Sequence, residues 1–268
     1  MVTSQLRTIF VLFLALRLAL LLLSTPQGVL NAYTDYHFYF NAARFSEQGR
    51  FPFVNMWFEY PPVAAYLPLA AYGLARAVLP PGDVFSLTYL LYARLLGALL
   101  LVFEAGTLVL LHRCAERAWG PERADTLAWI YASLSLPLFY WMYGHQTVVT
   151  FFLLLALYGL MTGRWAGSAA ALGLGIAAKL TPAFFLAPAV RYLWDRPRRA
   201  LVYGLIAAVV VLAAYAPFVA LGGAPWIAAS FTALAAGGSW ATPWALLDGN
   251  WGTGYYGPLE NRLDLAAA

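Results

Sequence analysis

The sequence predicts an all-α, polytopic transmembrane helix bundle with an amphipathic interfacial helix in its first external loop and two broken or re-entrant segments. Hydrophobic residues make up 62% of the 268-residue chain and charged residues only 10%, against roughly 25% charged in an average soluble domain. Polar surface is too scarce to cover a core of that size, so lipid must cover it. Apolar runs near the ~20 residues that cross a bilayer follow one another at 6–23, 63–79, 87–111, 125–143, 148–162, 167–190 and 200–221. Arginines recur in four of the polar breaks, and in short loops they mark the cytoplasmic side. The whole chain, 1–268, reads as one transmembrane domain.

The first run follows Arg7 and could be a secretory signal. Arg17 interrupts it, no small-x-small cleavage site follows, and more spans come later, so it reads as a retained signal anchor. The formal charge of +4 comes from scattered arginines with no block suited to nucleic acid. Cys114, the single cysteine, excludes an intrachain disulfide and a cysteine-based metal cluster.

The loop 24–62 is long for a connector and rich in aromatic residues. Asp35 can cap a helix running to about Gln48, with Gly49 ending it. On it His37, Asn41, Arg44 and Gln48 form a polar stripe, beside a face of Tyr36, Tyr39, Phe40 and Ala43. Such a helix is expected to lie in the interface with its aromatics in the headgroup layer. Asp35 is either a plain N-cap, worth ~1 kcal/mol, or a cap that also does chemistry. His37 is a hydrogen-bonding interface residue or a base. Glu59 opens the stiff stretch Glu59–Tyr60–Pro61–Pro62, as a structural acceptor or a site residue.

If every later run crossed fully, the breaks at Arg7, at Arg113, Arg117 and Arg123, at Arg164, and at Arg191–Arg199 could not all share one side. The conflict vanishes if two runs dip and return. The proline-bearing runs are the expected ones: 63–79 with Pro68, and 167–190 with Pro182 and Pro188. Freed backbone at membrane depth must be buried in protein or line a cavity. The loop 24–62, the Gly144–His145–Gln146 turn and the segment 222–268 then face outside.

Lys179 is the one lysine of the chain and sits in an apolar run, where a cation costs ~2.5–3.5 kcal/mol. It either pairs with an anionic group or snorkels to the interface. His145 and Gln146 either hydrogen-bond a ligand's hydroxyls or cap the following span. Arg17, Arg94 and Glu104 are read as bundle contacts needing partners on other helices. The Gly-rich stretch 249–257 lacks the context of a phosphate loop and reads as surface.

Tyr33–Thr34–Asp35–Tyr36–His37–Phe38, Ala42–Ala43–Arg44, Gly49–Arg50–Phe51–Pro52–Phe53 and Glu59–Tyr60–Pro61–Pro62 resemble the first luminal loop of GT-C glycosyltransferases. The likeness is to bacterial polyprenol-phosphate-mannose-dependent mannosyltransferases and to the catalytic subunit of GPI mannosyltransferase I. Gly144–His145–Gln146 and Lys179–Leu180–Thr181–Pro182, followed by Pro188 and an arginine-rich turn, keep the order of later landmarks, so the resemblance covers roughly residues 30 to 205. It implies transfer of mannose or another hexose from a polyprenyl-phosphate donor to a glycan or lipid acceptor, on the external face of a bacterial-type plasma membrane. Asp35 would be the catalytic base. Lys179, and secondarily Arg44, would meet the phosphate, and His37, Glu59, Tyr60, His145 and Gln146 would contact substrate. The GPI enzyme has two acids where this chain has Asp35 alone, which weakens the case for a divalent cation, and no other cofactor is implied. These families also run longer, so a truncated or partial member is expected. A polyprenyl-lipid flippase or small-solute transporter, and a non-catalytic scaffold, are the competing classes.

Overall fold

The computed structural model describes residues 4–23, 36–134 and 144–236. Ten helices lie among them: α1 (Ser4–Leu23), α2 (Tyr36–Arg44), α3 (Pro62–Arg76), α4 (Leu87–Trp119), α5 (Pro121–Ser133), α6 (Gln146–Met161), α7 (Trp165–Ala178), α8 (Leu186–Tyr192), α9 (Pro197–Ala220) and α10 (Ala224–Ala236). Two 3₁₀ turns, Phe45–Gln48 and Thr181–Phe185, join them, and no strand occurs among the described residues. Three helices are long and apolar enough to cross a membrane: Gln5–Leu23 within α1, Leu87–Trp119 and Pro197–Ala220. The all-helical, membrane-type fold is therefore as the sequence predicts.

The chain divides into two compact units, Met1–Phe51 with Tyr60–Pro217, and Pro52–Glu59 with Phe218–Ala268. In the second unit the turn at Phe53 adopts φ 62°, a strained value for a non-glycine residue. The Phe53 amide donates to the Met56 carbonyl at 2.8 Å, and its ring packs edge-on to Phe58 at 5.8 Å and Phe218 at 5.3 Å. Ser230 Oγ accepts the Phe58 amide proton at 2.9 Å.

Helix directions in the first unit follow from its contacts. Leu21 lies against Gly97 and Arg17 bonds Glu104, so α1 and α4 are antiparallel. Phe103 and Gly106 meet Phe151 while Arg117 donates to the Met161 carbonyl at 3.2 Å, so α4 and α6 run parallel. Gly159 packs on Ser168 and Phe152 on Gly175, so α7 returns antiparallel to α6. The Gly159–Ser168 approach is close enough that a Cβ on Gly159 would lie 2.8 Å from that of Ser168. It is the small-residue contact by which apolar helices pack closely without a hydrophobic drive between them.

Ser168 Oγ and Tyr203 Oη are 2.9 Å apart, the Arg199 guanidinium lies 6.0 Å from the Trp165 ring, and Gly173 abuts Val210. Helices α7 and α9 therefore run parallel with their starts side by side. The chain climbs about 21 Å along α7, leaves helical dihedrals at Lys179 (φ −159°, ψ 146°), and comes back through the 3₁₀ turn and α8, together about 20 Å. The four arginine-bearing breaks consequently gather at one end of this unit.

The opposite end carries α2, α3 and the first turns of α4 and α6. Gly49, φ 72°, closes the 3₁₀ turn after α2 as expected. The face Tyr36, Tyr39, Phe40 and Ala43 is buried, but against protein. Phe40 meets Tyr72, Tyr89 and Tyr92 edge-on at 5.4, 5.0 and 5.2 Å. The ring edges of α3 and α4 thus surround these aromatics, a protein contact that the sequence expectation of a headgroup placement does not include. Pro68 differs too: α3 continues through it from Pro62 to Arg76. One missing donor leaves the Ala64 carbonyl without its helical partner, which one turn of helix tolerates. Beginning near His145 and ending beside the first turns of α4, α3 lies across this end rather than descending toward the arginines.

Candidate functional site

Four residues from four separated stretches of sequence meet at the end opposite the arginines. Tyr60 precedes α3 behind Pro61 and Pro62, Tyr39 projects from α2, His145 caps α6, and Lys179 stands where α7 stops. The Tyr39 ring contacts His145 edge-on at 4.5 Å and Tyr60 at 6.1 Å. Tyr60 stacks with His145 at 6.5 Å, and the Lys179 ammonium lies 5.6 Å from the Tyr60 ring centre. A cation over an aromatic face is attracted by the ring quadrupole, by about 0.5–1 kcal/mol at exposed sites and more when desolvated.

Lys179 has no acidic partner among the described residues. His145 is 4% exposed, and its ring faces the backbone of Ala64. Burial pushes its pKa down to about 3 and the Lys179 charge pushes the same way, opposed by the backbone of Ala64. The ring is therefore neutral, with one nitrogen to donate and one to accept. On the same turn Gln146 Oε1 and Thr147 Oγ1 are buried without partners, in a setting where nearly all such atoms are satisfied. The Gln146 side chain folds back over Gly144.

The other sequence-predicted site residues fall elsewhere. Asp35 lies outside the described residues, one position before α2. His37 is half-buried on α2, with Nδ1 lacking a partner. Arg44 is ion-paired to Asp83 and does not join Lys179. Glu59 belongs to the second unit. Glu47, which the sequence reading did not single out, accepts from Tyr72 Oη at 2.7 Å and pairs with Arg76. The Tyr72 hydrogen bond, with help from Arg76 and Arg44, holds its carboxyl below the usual range against the opposing effect of burial. The sequence places Tyr39 among the aromatics of the headgroup layer, and only its contact with His145 reveals a place in the site.

Among the described residues no group of three or more His, Cys, Asp or Glu is placed to hold a metal ion. Among the described residues, what remains is an ammonium without a counter-ion, two aromatic rings, and a neutral imidazole beside unpartnered amide and hydroxyl oxygens. Chemically this set can bind an anion next to a hydroxyl-bearing group. No family model, curated protein or solved structure matches the chain.

Proposed function

We propose that this chain is a multi-pass membrane glycosyltransferase of GT-C type, moving mannose or another hexose from a polyprenyl phosphate to a glycan or lipid acceptor on the outer face. The single observation that carries this reading is the Lys179 ammonium, without an acidic partner among the described residues and held with Tyr60 and neutral His145 away from the arginine-bearing end. Three apolar helices of spanning length support the membrane setting. The return of 179–196 to the start of α7 supports a re-entrant segment whose apex carries Lys179.

In the reaction, a base takes the proton of the acceptor hydroxyl, whose oxygen attacks the anomeric carbon. The carbon–oxygen bond to phosphate breaks, and the polyprenyl phosphate departs with an added negative charge. Lys179 meets that charge in a low-dielectric site. His145, with one ring nitrogen toward the Ala64 backbone, accepts from a sugar hydroxyl with the other, and Asp35 is the base. A transporter for a lipid-linked anion is the second reading, favoured by the helix break at Lys179, since interrupted helices also build transport sites.

Purified wild type and Asp35→Asn would be incubated with radiolabelled polyprenyl-phosphate mannose and mixed membrane acceptors. Transfer by wild type and a loss of at least roughly 100-fold in the variant is expected. Equal transfer by both removes Asp35 as base. Movement of labelled donor across vesicles without transfer supports the transporter instead.

A further inference from the structure

The arginine-bearing end holds charge that no acid among the described residues balances. Arg164 precedes α7, and Arg198 and Arg199 occupy the first turn of α9, beside it in space through the Arg199–Trp165 contact. A helix start is the positive end of the macrodipole, so cations there are disfavoured and acids are preferred. Neither helix has an acid in its first turn. None of the three arginines forms an ion pair among the described residues, and all are exposed. The neighbouring acid, Asp195, is exposed and pairs with none of them.

Directly along α9 from these charges, Leu201, Leu205 and Val209 recur every fourth residue and are 65%, 54% and 62% exposed. Charged heads therefore stand at the foot of an uncovered apolar stripe. A free phosphate would use only the first part of that surface. A phospholipid would use both, with its phosphodiester on the guanidinium edges and an acyl chain on the stripe.

We propose that the paired starts of α7 and α9 bind the headgroup of an anionic phospholipid. The site needs the chain to sit in a bilayer but owes nothing to sugar transfer. It would fix the depth and orientation of the returning segment from the side opposite Lys179.

The test uses the full chain purified in neutral detergent and equilibrated with equal amounts of phosphatidylglycerol and phosphatidylcholine, with the retained lipid quantified. Wild type is expected to enrich phosphatidylglycerol, and each arginine removed, in Arg164→Gln, Arg198→Gln and the Arg198→Gln/Arg199→Gln pair, to lower that enrichment roughly fivefold. Arg50→Gln, an exposed arginine outside this surface, should leave it unchanged. Inorganic phosphate at matched concentration should not displace the lipid, and displacement would assign the site to free phosphate. Undiminished enrichment in the single variants, or no preference in wild type, overturns the proposal. The singles change exposed side chains that form no ion pair among the described residues, so they remain informative if the double variant does not fold.

Discussion

The ammonium nitrogen of Lys179 stands 5.6 Å from the centre of the Tyr60 ring, although 118 residues of sequence lie between them. Tyr60 offers a ring face without offering a counter-charge, and no acid among the described residues pairs with the ammonium. Lys179→Ala should lower transfer by on the order of 100-fold, with Lys179→Arg retaining an intermediate rate. Initial rates with radiolabelled polyprenyl-phosphate mannose measure this, and wild-type rates in Lys179→Ala would remove the ammonium from the reaction.

The return of the chain after Lys179 has a topological consequence. With Cys114 replaced, a cysteine introduced as Asp195→Cys should react with a membrane-impermeant maleimide only from the cytoplasmic side of oriented membranes. Reaction from outside in intact cells would mean that 167–190 crosses fully.

Arg17 and Glu104 form a buried pair across α1 and α4, 1% and 0% exposed, with the guanidinium also donating to the Ala132 carbonyl at 2.9 Å. Removing one partner strands the other charge, at a cost of about 3–5 kcal/mol. Arg17→Met and Glu104→Leu should each destabilise by that order. The double variant should recover much of the loss, because no charge is then left alone. Unfolding in mixed micelles, read by helical circular dichroism, checks this, and additive losses would argue against direct coupling.

His145 gives stability a pH dependence of definite sign. Its folded pKa of about 3 lies below the unfolded value of about 6.5. The unfolded chain therefore binds more protons between these limits, and stability rises with pH across that window. This contribution is complete above about pH 6.5 and is lost progressively as pH falls toward 3. Thermal midpoints between pH 7.5 and 5 should fall more steeply in wild type than in His145→Gln. Parallel curves would show that the ring is not held neutral by burial.

Particular residues show where sequence reading succeeds and where it stops. Gly49 ending the helical stretch after α2, and the interruption at Lys179–Leu180 before Pro182, were legible because φ freedom and missing donors are local properties. Pro68 leaves α3 unbroken, against the sequence expectation, for the complementary reason: whether one lost hydrogen bond ends a helix depends on what surrounds it. Tyr39 and Arg44 share one short helix, yet Tyr39 turns to His145 while Arg44 is taken by Asp83, and no periodicity within α2 distinguishes those fates.

Composition and the spacing of apolar runs determined that this chain is helical and suited to a membrane, because covering surface and satisfying backbone are demands each segment meets on its own. Tertiary structure alone decided that Tyr39, Tyr60, His145 and Lys179 share a site, and that Arg17 neutralises Glu104. Those pairings are set by which helices pack side by side, in which direction and at which height. Apolar helices carry little of that information in their own residues, since in lipid the choice of neighbour turns on close contacts such as Gly159 on Ser168.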